Sequence, residues 1–128
     1  MKPTLFFLSI TLFVFSISCK KESTDVSSLL GKWELAKYYV SIGGPGEWVP
    51  ATRNEGIIFG SNGKLQSSAY NEYHRYILKD STTLIFFKAD GSMQKFLFEL
   101  KQDQLTLSPA GPMYCFEGCM SKFNKVKD

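Results

Sequence analysis

The stretch Thr82–Leu100, "TTLIFFKADGSMQKFLFEL", holds two apolar runs on either side of Ala89-Asp90-Gly91. Asp-Gly between two such runs signals a hairpin, because Gly accepts the positive φ that a tight turn requires. The second run alternates, with Phe96 and Phe98 on one face and Lys95, Leu97 and Glu99 on the other. Successive side chains of a strand point to opposite faces of the sheet, so this pattern predicts an antiparallel strand with one buried face.

The same grammar extends in both directions. Upstream, "EGIIF" ends at Ser61-Asn62-Gly63, where Asn-Gly is again a hairpin signal. "KLQSSAY" follows, and "HRYILK" ends at Asp80-Ser81. Downstream, "QLTLS" sets Leu105 and Leu107 on one face, "PAGP" interrupts, and "CMSKFNKV" closes the chain with Phe123 and Val126. At the front, "KWELAKYYVS" carries the strand formers Trp33, Tyr38, Tyr39 and Val40. About eight strands at roughly 8–12-residue spacing predict an all-β protein, a small antiparallel up-and-down barrel. Closing the meander also removes the exposed edges that invite aggregation. Only "VSSLLG" offers helix, as a single turn capped by Ser27 or Ser28 before Gly31.

The first residues are of another kind. Met1-Lys2-Pro3, the apolar "TLFFLSITLFVFSIS" and then Cys19 have the layout of a secretory signal peptide. The apolar run, about fourteen residues, is shorter than the roughly 20 that span a bilayer as a helix. Ser16-Ile17-Ser18-Cys19 resembles a bacterial lipobox, with Ser16 where Leu is usual. That resemblance implies cleavage before Cys19, a diacylglycerol thioether and an N-acyl chain on Cys19, and attachment to a membrane. Several acyl chains anchor far more firmly than the marginal hold of one. Lys20 follows, not the Asp that commonly retains such proteins at the inner membrane, so the expected address is the outer membrane, on its periplasmic or surface face. We read residues 1–18 as the signal peptide, 19–28 as the lipidated cysteine with a polar tether, and 29–128 as the barrel domain.

With Cys19 lipidated, Cys115 and Cys119 remain, four positions apart, in an oxidising compartment. A redox CxxC motif has two intervening residues, not three. Zinc needs about four ligands, and the chain offers one histidine and three cysteines in all. The expectation is a disulfide, with free thiols as the alternative, and no metal. A bridge requires the chain to bend within Phe116-Glu117-Gly118, since bonded Cα atoms sit roughly 4.4–6.8 Å apart.

Removing residues 1–18 from 128 leaves 110, enough for one core. Of 15 basic side chains only Lys2 is lost, against 12 acidic ones retained, and no basic stripe remains to read nucleic acid.

Leu30-Gly31-Lys32-Trp33 resembles the lipocalin G-x-W signature. In that family the Trp plugs one end of the barrel and a basic residue near the last strand stacks on it, which implies plug roles for Gly31 and Trp33 with Lys122 or Lys125 as the cation. More specifically, the chain resembles small lipocalin-like lipoproteins of Bacteroidota, through "LLGKWEL", "YYVSIGGPGEWVP", "GIIFGSNGKL" and "CFEGCMSKF". That resemblance implies fold and address, and no particular activity.

Two further segments are candidates for contact. "SIGGPGEW" lacks the Lys-Ser/Thr of a phosphate loop and reads as a bend over the barrel mouth, with Trp48 at its tip. "YNEYHRY" is the densest aromatic-polar cluster. Period two places Tyr70, His74 and Tyr76 on one face, Tyr73 and Arg75 on the other. No nucleophile or paired carboxylates accompany His74, so we expect no enzyme and no cofactor. The leading expectation is a membrane-anchored, non-catalytic barrel holding a small apolar or amphipathic ligand. The alternative is a contact role with an envelope protein, as an enzyme inhibitor or assembly subunit. An empty apolar interior would favour the first, a filled one the second.

Overall fold

The computed structural model describes residues 25–115 and 118–127. The expected signal peptide, Cys19, most of the expected tether, and Phe116 and Glu117 lie outside the described residues. The described residues form a nearly closed eight-stranded antiparallel barrel with one extra short strand and a single 3-10 turn. The strands are β1 (Gly31–Val40), β2 (Glu47–Pro50), β3 (Gly56–Phe59), β4 (Leu65–Ser67), β5 (Tyr73–Leu78), β6 (Thr83–Lys88), β7 (Met93–Lys101), β8 (Gln104–Pro109) and β9 (Ser121–Lys125).

Strands β5 to β9 form an unbroken meander, and β9 returns to pair with β1. On its other side β1 pairs first with β3 and then, beyond a bulge between Leu35 and Lys37, with β2. Strands β2 and β3 therefore act as one interrupted strand, broken at residues 51–55. The ring closes between β4 and β5 through a bridge from Lys64 to Arg75, with the Tyr76 N–H donating to Gly63 O at 2.9 Å.

The turns follow the expected chemistry. Gly63 and Gly91 take φ of 78° and 87°, and Asn62 and Asp90 accept the N–H two residues on, at 3.1 and 2.9 Å. Asp80 does the same for Thr82 at 2.9 Å. The 3-10 turn Val26–Ser28 is capped by Asp25, whose carboxylate accepts from Ser27, and not by Ser27 or Ser28 as expected. Asp25 stands one residue ahead of the turn in extended backbone, the conformation from which a capping side chain can reach forward.

The interior is filled. Phe96 and Phe98 point inward and Leu97 and Glu99 outward, as the alternation requires. Leu84, Phe86, Leu105, Leu107, Phe59 and Phe123 join them in one cluster, with the Phe86 ring 4.7 Å from that of Phe96 and tilted against it. A small eight-stranded barrel either packs its interior with side chains or holds a small ligand there. Below Tyr70 this one is packed.

Candidate functional site

The two ends of the barrel differ. At the end where β1 begins, Trp33 is fully buried and its Nε1–H donates to Leu29 O at 2.8 Å. Lys125 Nζ lies 5.3 Å from the centre of the indole ring and 3.4 Å from Ser28 O. Gly31 has φ of 115°, a conformation that L side chains rarely adopt, while the nearest atom to an added Cβ would be Lys125 Cε at 3.7 Å. Backbone conformation, more than space, is what requires glycine there. Lys122 does not share this place. It projects from the outer face, with Nζ 4.1 Å above Trp48.

Trp48 itself is not a loop tip. It sits in β2 opposite Tyr39, half-buried, with its ring 5.4 Å from that of Tyr39 in an edge-to-face contact. The bend of "SIGGPGEW" is confined to residues 41–46, because Glu47 and Val40 already pair. A Cβ on Gly46 would collide with the Tyr39 ring, and one on Gly118 would stand 2.9 Å from Tyr39 Cδ1. Tyr39 thus pins the loop after β1 against the loop before β9. In the latter, Cys115 and Cys119 are bonded with Cα atoms 5.6 Å apart, and Gly118 takes φ of 63°.

The "YNEYHRY" cluster divides differently from the period-two expectation. Tyr73 and Tyr76 are both buried, and His74 and Arg75 are both exposed. The β5–β6 register shifts between Tyr73 and Arg75. Such a bulge inserts an extra residue and flips every side chain beyond it to the other face. Tyr76 turns down the barrel, donating its hydroxyl to Gly60 O at 2.6 Å, with burial raising its pKa. Arg75 lies over Phe87 at 5.2 Å on the outside. The cluster is therefore not one site: of its candidate residues Tyr70 and Tyr73 reach the mouth, with Asn71 and Glu72 between them, and His74, Arg75 and Tyr76 do not.

Tyr70 occupies the middle of the open end. Its N–H donates to Ser67 Oγ at 2.8 Å, and Ser67 and Ser68 tie the segment to Gly56 across the sheet. Its ring packs on Phe96 at 5.2 Å, Phe86 at 5.8 Å and Phe123 at 6.3 Å. Burial pushes the hydroxyl's pKa above its usual value; Ser121 partly opposes that rise, and the charges of Glu55 and Tyr73 add to it.

A concavity opens on each side of this ring. One, of about 410 Å³, is lined by Leu35, Tyr38, Thr52, Arg53, Glu55, Ala69, Cys119, Met120 and Ser121 as well as Tyr70. The other, of about 230 Å³, lies between Tyr70 and Tyr73 on one wall and Gln94, Phe96, Pro109 and Met113 on the other. Buried Gln94 donates to Met113 O at 2.9 Å and accepts from Met113 N at 3.2 Å, fixing the rim loop. The larger cleft exists because β1 bulges at Leu35/Lys37 and the partner strand breaks at 51–55. Two main-chain bonds span that break: Leu35 N–H to Glu55 O at 2.8 Å and Ala51 N–H to Ala36 O at 2.9 Å.

Leu35, Tyr38, Arg53, Glu55, Gln94 and Ser121 were not candidates from the sequence. The one signal was the polar "ATRNE" between two apolar runs, which marks a break without saying what it frames. Among the described residues, no three His, Cys, Asp or Glu side chains group to hold a metal ion, and no helix is long and apolar enough to cross a membrane. No protein-family profile and no curated protein matches the chain.

Proposed function

We propose that the protein is a membrane-anchored, lipocalin-like exported lipoprotein that holds one small amphipathic ligand at the open end of its barrel, without catalysis. The observation that carries this reading is the pair of clefts flanking Tyr70. The larger, about 410 Å³, lies within the roughly 300–1,000 Å³ usual for small-molecule sites. It has apolar walls in Leu35, Ala69 and Met120 and a polar rim in Thr52, Arg53 and Glu55. The filled interior argues against the expected ligand within the barrel and by itself favours the contact role; the ligand of this proposal sits in the mouth, above the packed side chains.

The chain enters the barrel at the plugged end, where Lys125 meets Ser28. An anchor at Cys19 therefore turns the open end away from the lipid, with residues 19–24 reaching at most roughly 20 Å. Two measurements test the two halves of the proposal. Globomycin treatment or Cys19→Ser should block maturation and free the protein from membranes; unchanged processing in both refutes the anchor. Calorimetric titration of the mature protein with a dodecyl-chain amphiphile below its micellar concentration should give saturable one-to-one binding. Ala69→Trp fills the wall that both clefts share and should abolish it, and equal binding by that variant refutes the mouth site.

A second reading is favoured by a specific feature of the same end. Ile42 (91% exposed), Met113 (67%) and Tyr114 (65%) project from the rim loops that Tyr39 and Gln94 hold in place. Rigid exposed apolar and aromatic side chains suit contact with an envelope protein. Site-specific crosslinkers at Ile42 and Met113 in intact cells test it: one discrete adduct supports the contact role, and none excludes it.

A further inference from the structure

The larger cleft is not electrically neutral from the inside. Glu55 is only 28% exposed at its side chain, whereas Arg53, which lies 3.9 Å from it, is 83% exposed. That separation is at the outer limit of an ion pair, and the exposed guanidinium is screened by water. The carboxylate is the less exposed of the two charges that line the cavity, and its charge is felt by the Tyr70 hydroxyl. Its position is fixed by its own main chain, since Glu55 O accepts from Leu35 N at 2.8 Å across the strand break. Two aromatic rings, Tyr38 and Tyr70, line the same space. Glu55 also lines the adjoining groove, beside Lys32 and Glu34, and so stands between the two concavities.

A half-buried carboxylate beside tyrosine rings attracts a cation by charge and by the ring quadrupoles together. We infer that the mouth cleft selects an amphiphile with a cationic amine head, held by Glu55 between Tyr38 and Tyr70, with its apolar tail along Leu35 and Ala69. This deepens the proposed function and rests on the mouth being a ligand site. It also runs against the net positive charge, +3 for the full chain and +2 once Lys2 is removed with residues 1–18, which favours anions non-specifically. A preference for cations can arise only from a local field.

The test is a set of calorimetric titrations at about 0.15 M salt, where surface attraction is screened beyond roughly 8 Å. Dodecyltrimethylammonium, dodecanoate and dodecyl maltoside share one tail and differ in head, and each is used below its micellar concentration. The cationic probe should bind the mature protein about tenfold more tightly than the neutral one, and the anionic probe most weakly. Glu55→Gln should erase that preference, bringing trimethylammonium affinity to within about twofold of the maltoside's in the same variant. Arg53→Ala removes the competing cation and should strengthen trimethylammonium binding a few-fold, an opposite shift that damage to the fold cannot produce. Unchanged trimethylammonium affinity in Glu55→Gln, or tighter binding of dodecanoate, overturns the inference while leaving the mouth site standing. Failure of all three probes to bind removes the mouth site, and this inference with it.

Discussion

Replacing Trp33 with alanine empties the plugged end of the barrel. The indole is fully buried, and Trp→Ala at such a site costs about 3–5 kcal/mol in lost burial and residual cavity. Part of that loss can be isolated. Trp33→Phe keeps most of the apolar volume but leaves Leu29 O, on a fully buried residue, without the donor now 2.8 Å away. An unsatisfied buried carbonyl costs about 1–3 kcal/mol. Trp48 is the internal control. It is half-buried on the outer face and held by Lys122 at 4.1 Å and Tyr39 at 5.4 Å. Those contacts are worth about 0.5–1 and 0.5–1.5 kcal/mol, so Trp48→Ala should cost about 1–2 kcal/mol. Urea melts followed by circular dichroism avoid relying on the fluorescence of the residue removed. With a slope near 1.5 kcal/mol per molar, Trp33→Ala should lower the midpoint by about 2–3 M and Trp48→Ala by about 1 M. Against a stability of about 5–15 kcal/mol the first loss is severe. If Trp48→Ala is as costly as Trp33→Ala, the barrel is not closed by Trp33 and the assignment of its two ends is wrong.

Gly31→Ala should lose about 1–3 kcal/mol through its φ of 115° alone, whereas Gly44→Ala, with open space around it and no such φ, should lose almost nothing; similar melts for both contradict the backbone argument. Thiol labelling without reductant should find neither Cys115 nor Cys119, and Cys115→Ser should cost about 2 kcal/mol, since the closed loop is short; two reactive thiols rule the bridge out. The Tyr70 hydroxyl has its folded pKa raised above the ordinary 10.0, so its contribution is complete below pH 10 and is lost as pH rises through the folded value. Stability should fall above about pH 10, less steeply in Tyr70→Phe, with Tyr76 supplying part of the remaining slope; an unaltered slope shows that Tyr70 is solvated.

The parts of the fold that were legible are those governed by unbroken alternation and by turn residues with one conformational use. "KFLFEL" fixed which residues of β7 face inward, and Asn62-Gly63 and Asp90-Gly91 located two hairpins. Legibility fails where the register slips. The bulge between Tyr73 and Arg75 brings Tyr73 and Tyr76 to the same side, against a strict period of two. The bulge between Leu35 and Lys37 and the break at 51–55 shape the larger cleft; the bulge carries no Gly or Pro, and the break, though flanked by Pro50 and Gly56, does not reveal what it frames. The β7–β8 turn gave no signal either, because Gln102 takes φ of 53° where glycine would be expected. β6 is apolar on both faces, with Ile85 only 7% exposed on the outside, so composition could not say which side was core. For the site, the sequence named Tyr70 and Tyr73 for their residue type. It missed Glu55, whose importance comes from a main-chain bond to Leu35 twenty positions earlier.

The most direct test is an amide nuclear magnetic resonance titration of residues 19–128 with dodecyltrimethylammonium. The account predicts saturable shifts confined to the open end, at Leu35, Tyr38, Glu55, Ala69, Tyr70 and Ser121, with the Trp33 indole N–H unmoved at the plugged end. Shifts centred on Trp33, Phe59 and Leu105, or shifts spread evenly over the outer face without saturation, would contradict it.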